Sequence, residues 1–478
     1  MRKFDTYVQE LKYRILREVA RHTWEGRDGA EMFTLFNEIA STVVHKDNVP
    51  MRCCIYKDRA IVAEQIRIAL GGNCNDPNIV EVIGIACDEC PQSGYVVTDL
   101  CRGCIAHKCE DACKVNAIEN DGKLIAHINK DKCIECGRCA KVCPYNAIIN
   151  FKSPCEVACK ADAIHIVNGE GAKIDERKCT NCGLCVTRCP FGAAVDKSHI
   201  THVIRMLMAS VVGTGAPVHA IVAPAIAAQF NEGTLGQLVS GIKALGFADV
   251  REVALGADLV AYEEAEAIRE DGFMTTSCCP AFVKYIKSQF PELIDNISPS
   301  LSPMAMLGKL IKDKELDSKV VFIGPCIAKK AEAQLDSVAP YIDRVLTFEE
   351  LQAMLDAREI DITVLEETML EESSSFGRGF AKSGGVAAAV VQAIEEQGSG
   401  KQIKTGNASG LDKCKPLLRA AIRGTSPYQL LEGMACDGGC IGGAACLTHD
   451  AVDEKRLAES GQEAAFDEIG ASIRAANR

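Results

Sequence analysis

The sequence predicts an α/β domain with mainly parallel sheet, preceded by a cysteine-rich α+β segment and a small helical N-terminal domain. Three observations carry that expectation. Apolar residues recur at helical spacing up to about residue 78, cysteines cluster in closely spaced runs between about 79 and 200, and beyond 201 short apolar runs alternate with amphipathic ones. The last pattern is that of parallel strands covered by helices. A polar helical tail is expected over 451–478.

In the first segment, Tyr7, Leu11, Ile15, Leu16 and Val19 mark one helix. Ala30 to Val44 and Ala60 to Leu70 mark two more, the last stopped by Gly71-Gly72-Asn73. Cys53, Cys54 and Cys74 are expected to be structural thiols. The opening residues lead into a charged amphipathic pattern, which points away from a secretory leader.

The chain has 478 residues, 26 cysteines and a formal net charge of −12. The acidity argues against a nucleic-acid binder. A long chain with this much cysteine suggests thiolates holding metal in a reducing cytoplasm rather than disulfides. The run Met206 to Phe230 has no charged residue, but Gly213, Gly215, Pro217 and Pro224 break it. It reads as a helix end, a turn and a buried strand, with no membrane span.

The cysteine runs are Cys87-x2-Cys90, Cys101-x2-Cys104-x4-Cys109-x3-Cys113, Cys133-x2-Cys136-x2-Cys139-x3-Cys143-Pro144, Cys155-x3-Cys159 and Cys179-x2-Cys182-x2-Cys185-x3-Cys189-Pro190. Two are complete bacterial-ferredoxin runs, in which three close cysteines hold one [4Fe–4S] cubane and the fourth crosses to another. Zinc sites use isolated pairs and close at four ligands. The segment is therefore expected to be a ferredoxin-like iron–sulfur domain. The crossing rule groups Cys101, Cys104, Cys109 with Cys143, and Cys133, Cys136, Cys139 with Cys113. Lys108-Cys109-Glu110-Asp111-Ala112-Cys113 is echoed by Pro154-Cys155-Glu156-Val157-Ala158-Cys159, which groups Cys179, Cys182, Cys185 with Cys159. Cys87, Cys90, Cys155 and Cys189 complete a fourth cubane; the alternative is three cubanes and four spare thiols. Lys108, Lys114, Arg138, Lys141, Lys152, Lys160 and Arg188 lie among the ligands, where they would raise cluster potentials or offer a docking face to an acidic carrier such as ferredoxin.

Further on, Val218 to Ala223, Asp249 to Ala254 and Lys319 to Gly324 read as strands and Gly236 to Leu245 as a helix. Three cysteine motifs follow in this part. They are Thr275-Thr276-Ser277-Cys278-Cys279-Pro280-Ala281-Phe282, Gly324-Pro325-Cys326-Ile327-Ala328-Lys329-Lys330 and Glu432-Gly433-Met434-Ala435-Cys436-Asp437-Gly438-Gly439-Cys440-Ile441-Gly442-Gly443. In open α/β sheets, ligands gather at the C-terminal ends of strands. Glycine lets backbone approach a bulky inorganic group.

In order, spacing and flanking residues these motifs resemble the three signatures of [FeFe]-hydrogenases. Pro-Ala-Phe and Gly-Pro-Cys resemble the branch called group B. The resemblance implies two lobes with mainly parallel sheets around an H-cluster, a cubane bridged to a diiron unit bearing CO, cyanide and an azadithiolate. It implies Cys279, Cys326, Cys436 and Cys440 as ligands of the cubane, with Cys440 bridging. Cys278 would relay protons, with Glu264 and Ser298 behind it. Lys329 would hydrogen-bond a cyanide, and Lys330 would be a surface charge. Met434 and Phe380 match apolar neighbours of the cofactor; Pro224, Ser302 and Pro303 match residues lining its pocket. The chain departs from the better-known branch at Ala225, Met304 and Gly324, and at Ala267, where an acidic residue is shifted to Glu266. Cys414 and Cys446 are expected to be spare thiols, and Gly377-Arg378-Gly379 a tight cofactor-lining turn.

The function implied is reversible 2H⁺ + 2e⁻ ⇌ H₂, with ferredoxin and the maturation enzymes of the H-cluster as partners. Two other classes stay open, a non-catalytic iron–sulfur protein of cluster assembly and a hydrogen sensor.

Overall fold

The computed structural model describes residues 4–27, 32–47, 49–88, 90–91, 93–167, 170–269 and 272–476. The chain begins with helices Tyr7–Trp24, Met32–Val43 and Ile55–Ala69; the expected start of the second, Ala30, lies outside the described residues. Thr6 caps the first, its hydroxyl accepting from Gln9 N at 3.2 Å. That helix buries Leu11, Ile15, Leu16 and Val19 in one core with Ile204, Leu207, Phe348, Leu351 and Met354. The N-terminal helices thus pack directly on the α/β part. Cys53 and Cys74 are exposed and Cys54 half-buried, so these thiols stand at the surface rather than in a core.

The cysteine-rich segment is closed by its own ends, Val80–Val82 pairing antiparallel with Ala194–Asp196. Inside it three short antiparallel pairs alternate with one-turn helices: Gly94–Val97 with Ile148–Phe151, Ile118–Asn120 with Ala126–Ile128, and Ile164–Val167 with Gly171–Ile174. Strand pairs this short hold little core. Packing here runs through Cys139, Ile118, Ala126 and Ile148, with other cysteines around them.

Two parallel sheets follow. In the first, Asp249–Glu252, Val218–Val222, Lys319–Gly324 and Arg344–Thr347 lie side by side in that order. In the second the order is Met274–Thr275, Leu430–Met434, Thr405–Ser409. Val218–Val222 and Leu430–Met434 are buried throughout, as strands covered on both faces must be. The strand expected to reach Ala254 stops at Glu252, and Val253 opens the helix Val253–Ala267. Gly377-Arg378-Gly379 is part of a short helix, Ser375–Gly379, rather than the expected tight cofactor-lining turn: a Cβ on Gly377 would meet Ala254 O at 2.3 Å, and Arg378 is buried on Glu252 at 2.9 Å. The tail forms helices Asp453–Gln462 and Ile469–Ala476. It is less polar in place than its composition suggests. Ile469 and Ser472 are fully buried, and the Ser472 hydroxyl donates to Asp258 at 2.7 Å. Among the described residues, no helix is long and apolar enough to cross a membrane.

Candidate metal centre and its cluster relay

In all three motifs the cysteines follow the end of a parallel strand. Met274–Thr275 delivers Cys278 and Cys279, Lys319–Gly324 delivers Cys326, and Leu430–Met434 delivers Cys436 and Cys440. Cys279 is the N-cap of Pro280–Gln289, whose Pro280 suits the first helical turn. The four thiols Cys279, Cys326, Cys436 and Cys440 line one cavity of about 90 Å³ together with Cys278, Lys329, Pro224, Pro303, Phe380 and Met434. Its remaining wall is almost wholly apolar and includes Ala225, Met304 and Phe322. The loop carrying Cys440 comes in close. Gly439 has φ +98°, and a Cβ there would meet Ala381 O at 2.8 Å.

Burial pushes the thiols of Cys326 and Cys440 up to about 12 and raises that of Cys436 well above its ordinary value. Four such sulfurs facing each other in an apolar wall need positive charge between them, and iron supplies it. Among the described residues, no three His, Cys, Asp or Glu side chains close around a single ion. In a cubane each thiolate takes its own iron, so the donor set fits a cluster.

Lys329 is buried; burial alone would lower its pKa, but Glu332, paired with it at 2.7 Å, keeps it raised and charged. Its Nζ also donates to Cys278 O at 3.3 Å. Cys278 opens on the same cavity, with its thiol held protonated by burial first and by neighbouring negative groups second. Glu264 is fully buried behind it, and burial pushes its carboxyl up to about 7. Neither Glu264 oxygen makes a well-formed hydrogen bond; the Ser298 hydroxyl and the Ser277 N–H lean toward it and partly offset burial. Glu266 and Ala267 are exposed at the helix end, where Lys401 caps the carbonyls of Ala265, Glu266 and Ile268.

Two expected residues stand elsewhere. Ser302 lies behind the cavity wall and caps Pro303–Lys314, its hydroxyl accepting from Ala305 N at 3.4 Å. Lys330 is not a surface charge. It is fully buried and paired with Asp196 at 2.9 Å and Glu350 at 3.1 Å. Cys414 and Cys446 are buried, their thiols directed at the carbonyls of Ala408 and Ile441 at 3.5 and 3.3 Å. Sequence reasoning missed Glu432 and Phe322. Glu432 accepts from Gly384 N at 2.7 Å and Ala387 N at 2.9 Å, tying the third motif to the start of helix Gly385–Glu396; its place inside a quoted motif was the available signal. The Phe322 ring fills the space a side chain on Gly324 would need, only 2.5 Å from such a Cβ; nothing in an apolar strand announces that.

The four crossing cysteines of the iron–sulfur segment share one local geometry. Cys113, Cys143, Cys159 and Cys189 each accept, on sulfur, the N–H four residues on, at 3.2, 3.4, 3.2 and 3.3 Å. Three residues after each stands a left-handed residue, Asn116, Asn146, Asp162 or Gly192. Cys87, Cys90, Cys155 and Cys189 line one small cavity. Gly171, with φ +83°, closes on it so tightly that a Cβ would meet Cys87 Cβ at 2.7 Å. Cys159, Cys179, Cys182 and Cys185 act on one another electrostatically, and Cys182 also on Cys279 and Cys436. Cys109 is influenced by Cys104 and Cys143, and Cys139 by Cys133 and Cys136.

The C-terminal domain of the iron-only hydrogenase large subunit matches residues 216–444, and the 4Fe-4S binding domain matches 126–149 and 172–195. The chain is an [FeFe]-hydrogenase-like protein. It is 32% identical over 260 residues to the periplasmic [Fe] hydrogenase large subunit of Nitratidesulfovibrio vulgaris, covering 44% of this chain and 62% of that one. It is 27% identical over 300 residues to iron hydrogenase 1 of Clostridium pasteurianum, covering 52% of each. It is also 35% identical over 91 residues, 19% of each chain, to the cytosolic Fe-S cluster assembly factor NAR1 of Kluyveromyces lactis. The hydrogenase-like chain thus spans between half and two-thirds of the length of the two hydrogenases.

Proposed function

We propose that the protein is a catalytic hydrogenase of the group B kind, running 2H⁺ + 2e⁻ ⇌ H₂ in a reducing cytoplasm. The observation that carries this reading is the shared cavity, in which four thiols suited to a cubane meet a fifth thiol, Cys278, and the Lys329 ammonium on one apolar wall. Cys279, Cys326, Cys436 and Cys440 would hold the cluster, and the two parallel sheets would form the lobes around it. The bound H-cluster would supply the iron chemistry that joins protons and electrons.

The chain's own residues do the rest. Lys329, kept charged by Glu332, donates hydrogen bonds to anionic groups of the cofactor. The neutral Cys278 thiol carries a proton at the inner end of the route. Glu264, whose carboxyl titrates near neutrality, accepts and returns protons with the Ser298 hydroxyl beside it. Pro224, Pro303, Phe380 and Met434 keep water off the cofactor. The accessory cubanes would supply the electron path, and Cys182, beside Cys279 and Cys436, would help hold the one nearest the H-cluster. Lys108, Lys114, Arg138, Lys141, Lys152, Lys160 and Arg188 are all exposed and suit an acidic carrier such as ferredoxin. H-cluster maturation enzymes would be the other partners.

The likeness to a cluster assembly factor favours a second, non-catalytic reading. Cys278 and Lys329 on the cavity wall speak for catalysis, since neither is needed to hold a cubane. Infrared spectroscopy of the maturated protein separates the two. Bands of bound CO and cyanide together with hydrogen evolution are expected; a protein with a full complement of cubanes but neither bands nor turnover is the assembly-type protein.

A further inference from the structure

The N-terminal helices take no part in the proton or electron route proposed for this chain. Their place in the fold suggests a role. The stretch from Arg52 to helix Ile55–Ala69 lies across the cavity of Cys87, Cys90, Cys155 and Cys189. Arg52 Nη2 donates to Phe191 O at 2.6 Å and Nη1 to Ala86 O at 3.4 Å. The guanidinium sits over the Phe191 ring, 5.1 Å from its centroid. Ala86 adjoins Cys87, Phe191 follows Cys189 by two residues, and both line the cavity. One side chain therefore clamps the backbone beside two prospective ligands from different ends of the segment.

The helix completes the cover. Gln65 donates to Gly192 O at 2.9 Å, inside the turn that follows Cys189. Ile61 and Ile68 pack with Ile83, Ala86 and Ala193, against Cys87 and Cys189. Burial raises the thiols of Cys87 and Cys90, and the positive charge of Arg52 reaches both sulfurs and works against that rise.

We propose that Arg52 is a positioning residue for the fourth cubane and sets its reduction potential, the N-terminal helices being the lid that holds its charge in place. This rests on the reading that Cys87, Cys90, Cys155 and Cys189 hold a cluster. The physical cause is electrostatic. Reduction adds one negative charge to a cluster that already carries several from its thiolates. A half-buried guanidinium held against it stabilises the reduced form, because water screens the pair only in part. Guanidinium suits the task because it stays charged at any working pH and its fork serves two carbonyls while it stacks on a ring.

The test uses the full chain, reconstituted anaerobically, with iron counted and the accessory clusters titrated by electron paramagnetic resonance. Cys155→Ser should lose about four iron atoms and one signal, which identifies the fourth cubane. Arg52→Gln should keep the iron and move the midpoint of that one signal to more negative potential, leaving the others in place. Arg52→Lys should stay near the wild type. Loss of that cluster in Arg52→Gln but not in Arg52→Lys would support the same dependence on charge. An unmoved midpoint in Arg52→Gln, an equal shift in Arg52→Lys, or loss of the cluster in both overturns the role of Arg52. If Cys155→Ser loses neither iron nor a signal, the fourth cubane itself fails, and that result is distinct from failure of Arg52.

Discussion

Cys278 and Cys279 are neighbours in sequence with opposite surroundings. Cys279 faces Cys326 and Cys440; burial raises its thiol, and the backbone N–H groups of Ala435 and Phe282 with the Lys329 charge oppose that rise, which suits a bound thiolate. Burial first, and the neighbouring Cys279, Glu264 and Glu432 after it, keep Cys278 a thiol. On the catalytic reading, Cys278→Ala should lower turnover at least about a hundredfold while the CO and cyanide bands remain, because no ligand is lost. Wild-type turnover in that variant would remove the thiol from the proton route. Glu264→Gln is isosteric and cannot carry a proton, so a loss on the order of 10²–10⁴-fold is expected, with Glu264→Asp recovering part of it. Equal turnover in Gln and Asp variants would show that Glu264 serves packing alone. Cys278 was legible because it stands in the first cysteine motif; Glu264 lies in none of the three and was reached only through the family resemblance. Lys330 was misread because a lysine after a motif lysine has no signal for burial; only the fold brings Asp196 and Glu350 to it.

At the scale of elements, the strands that carry motifs were the most legible. Lys319–Gly324 matches its expected limits, since an unbroken run of β-branched and aromatic residues before Gly-Pro admits little else. The boundary at Glu252 was missed because strand passes into helix without a turn residue between them, and Val253 and Ala254 suit either state. Within the iron–sulfur segment, spacing alone grouped the cysteines, but the repeated N–H···S turn could not be read from one sequence. That turn makes Cys189 the structural equivalent of Cys113, Cys143 and Cys159, which is the best support for a fourth cubane. Gly171 gives it a test that touches no ligand. A Cβ there would strain a φ of +83° and press on Cys87. Gly171→Ala should therefore lower the iron content by about four atoms per chain, whereas Gly398→Ala, also at positive φ but with nothing within 4 Å, should leave it unchanged. Full iron in Gly171→Ala would mean that the cavity either yields or holds no cluster.

The whole molecule is tied together by a buried charge network that no single segment contains. Lys12 of the first helix pairs with Asp196 of the last iron–sulfur strand and with Glu349. Lys330, four residues after the cavity thiol Cys326, pairs with the same Asp196 and with Glu350. N-terminal helix, cluster segment and second motif are thereby held in one register. Breaking one side leaves an unpaired buried charge, so Lys330→Met should cost about 3–5 kcal/mol of stability in denaturant titrations. A loss below about 1 kcal/mol would mean that the remaining carboxylates simply take up protons. The same network sets an acid dependence through His199, which lies beside it. Burial first, and the Lys330 charge second, depress this imidazole to about 3, and its Nδ1 accepts from Val345 N at 3.3 Å. The folded state thus keeps His199 neutral where the unfolded chain, with an ordinary value near 6.5, binds a proton. Its contribution is complete above about pH 6.5 and falls away on acidification toward pH 3. Glu264, raised to about 7 by burial, titrates in the opposite sense over part of that range, so the wild-type profile alone does not isolate the histidine. His199→Asn keeps an acceptor and removes the titration. Between pH 8 and pH 5 the wild type should lose about 2 kcal/mol relative to this variant, read as a pH-dependent difference in denaturation midpoint. Parallel profiles would mean that His199 is protonated in the folded protein and answered by Glu350.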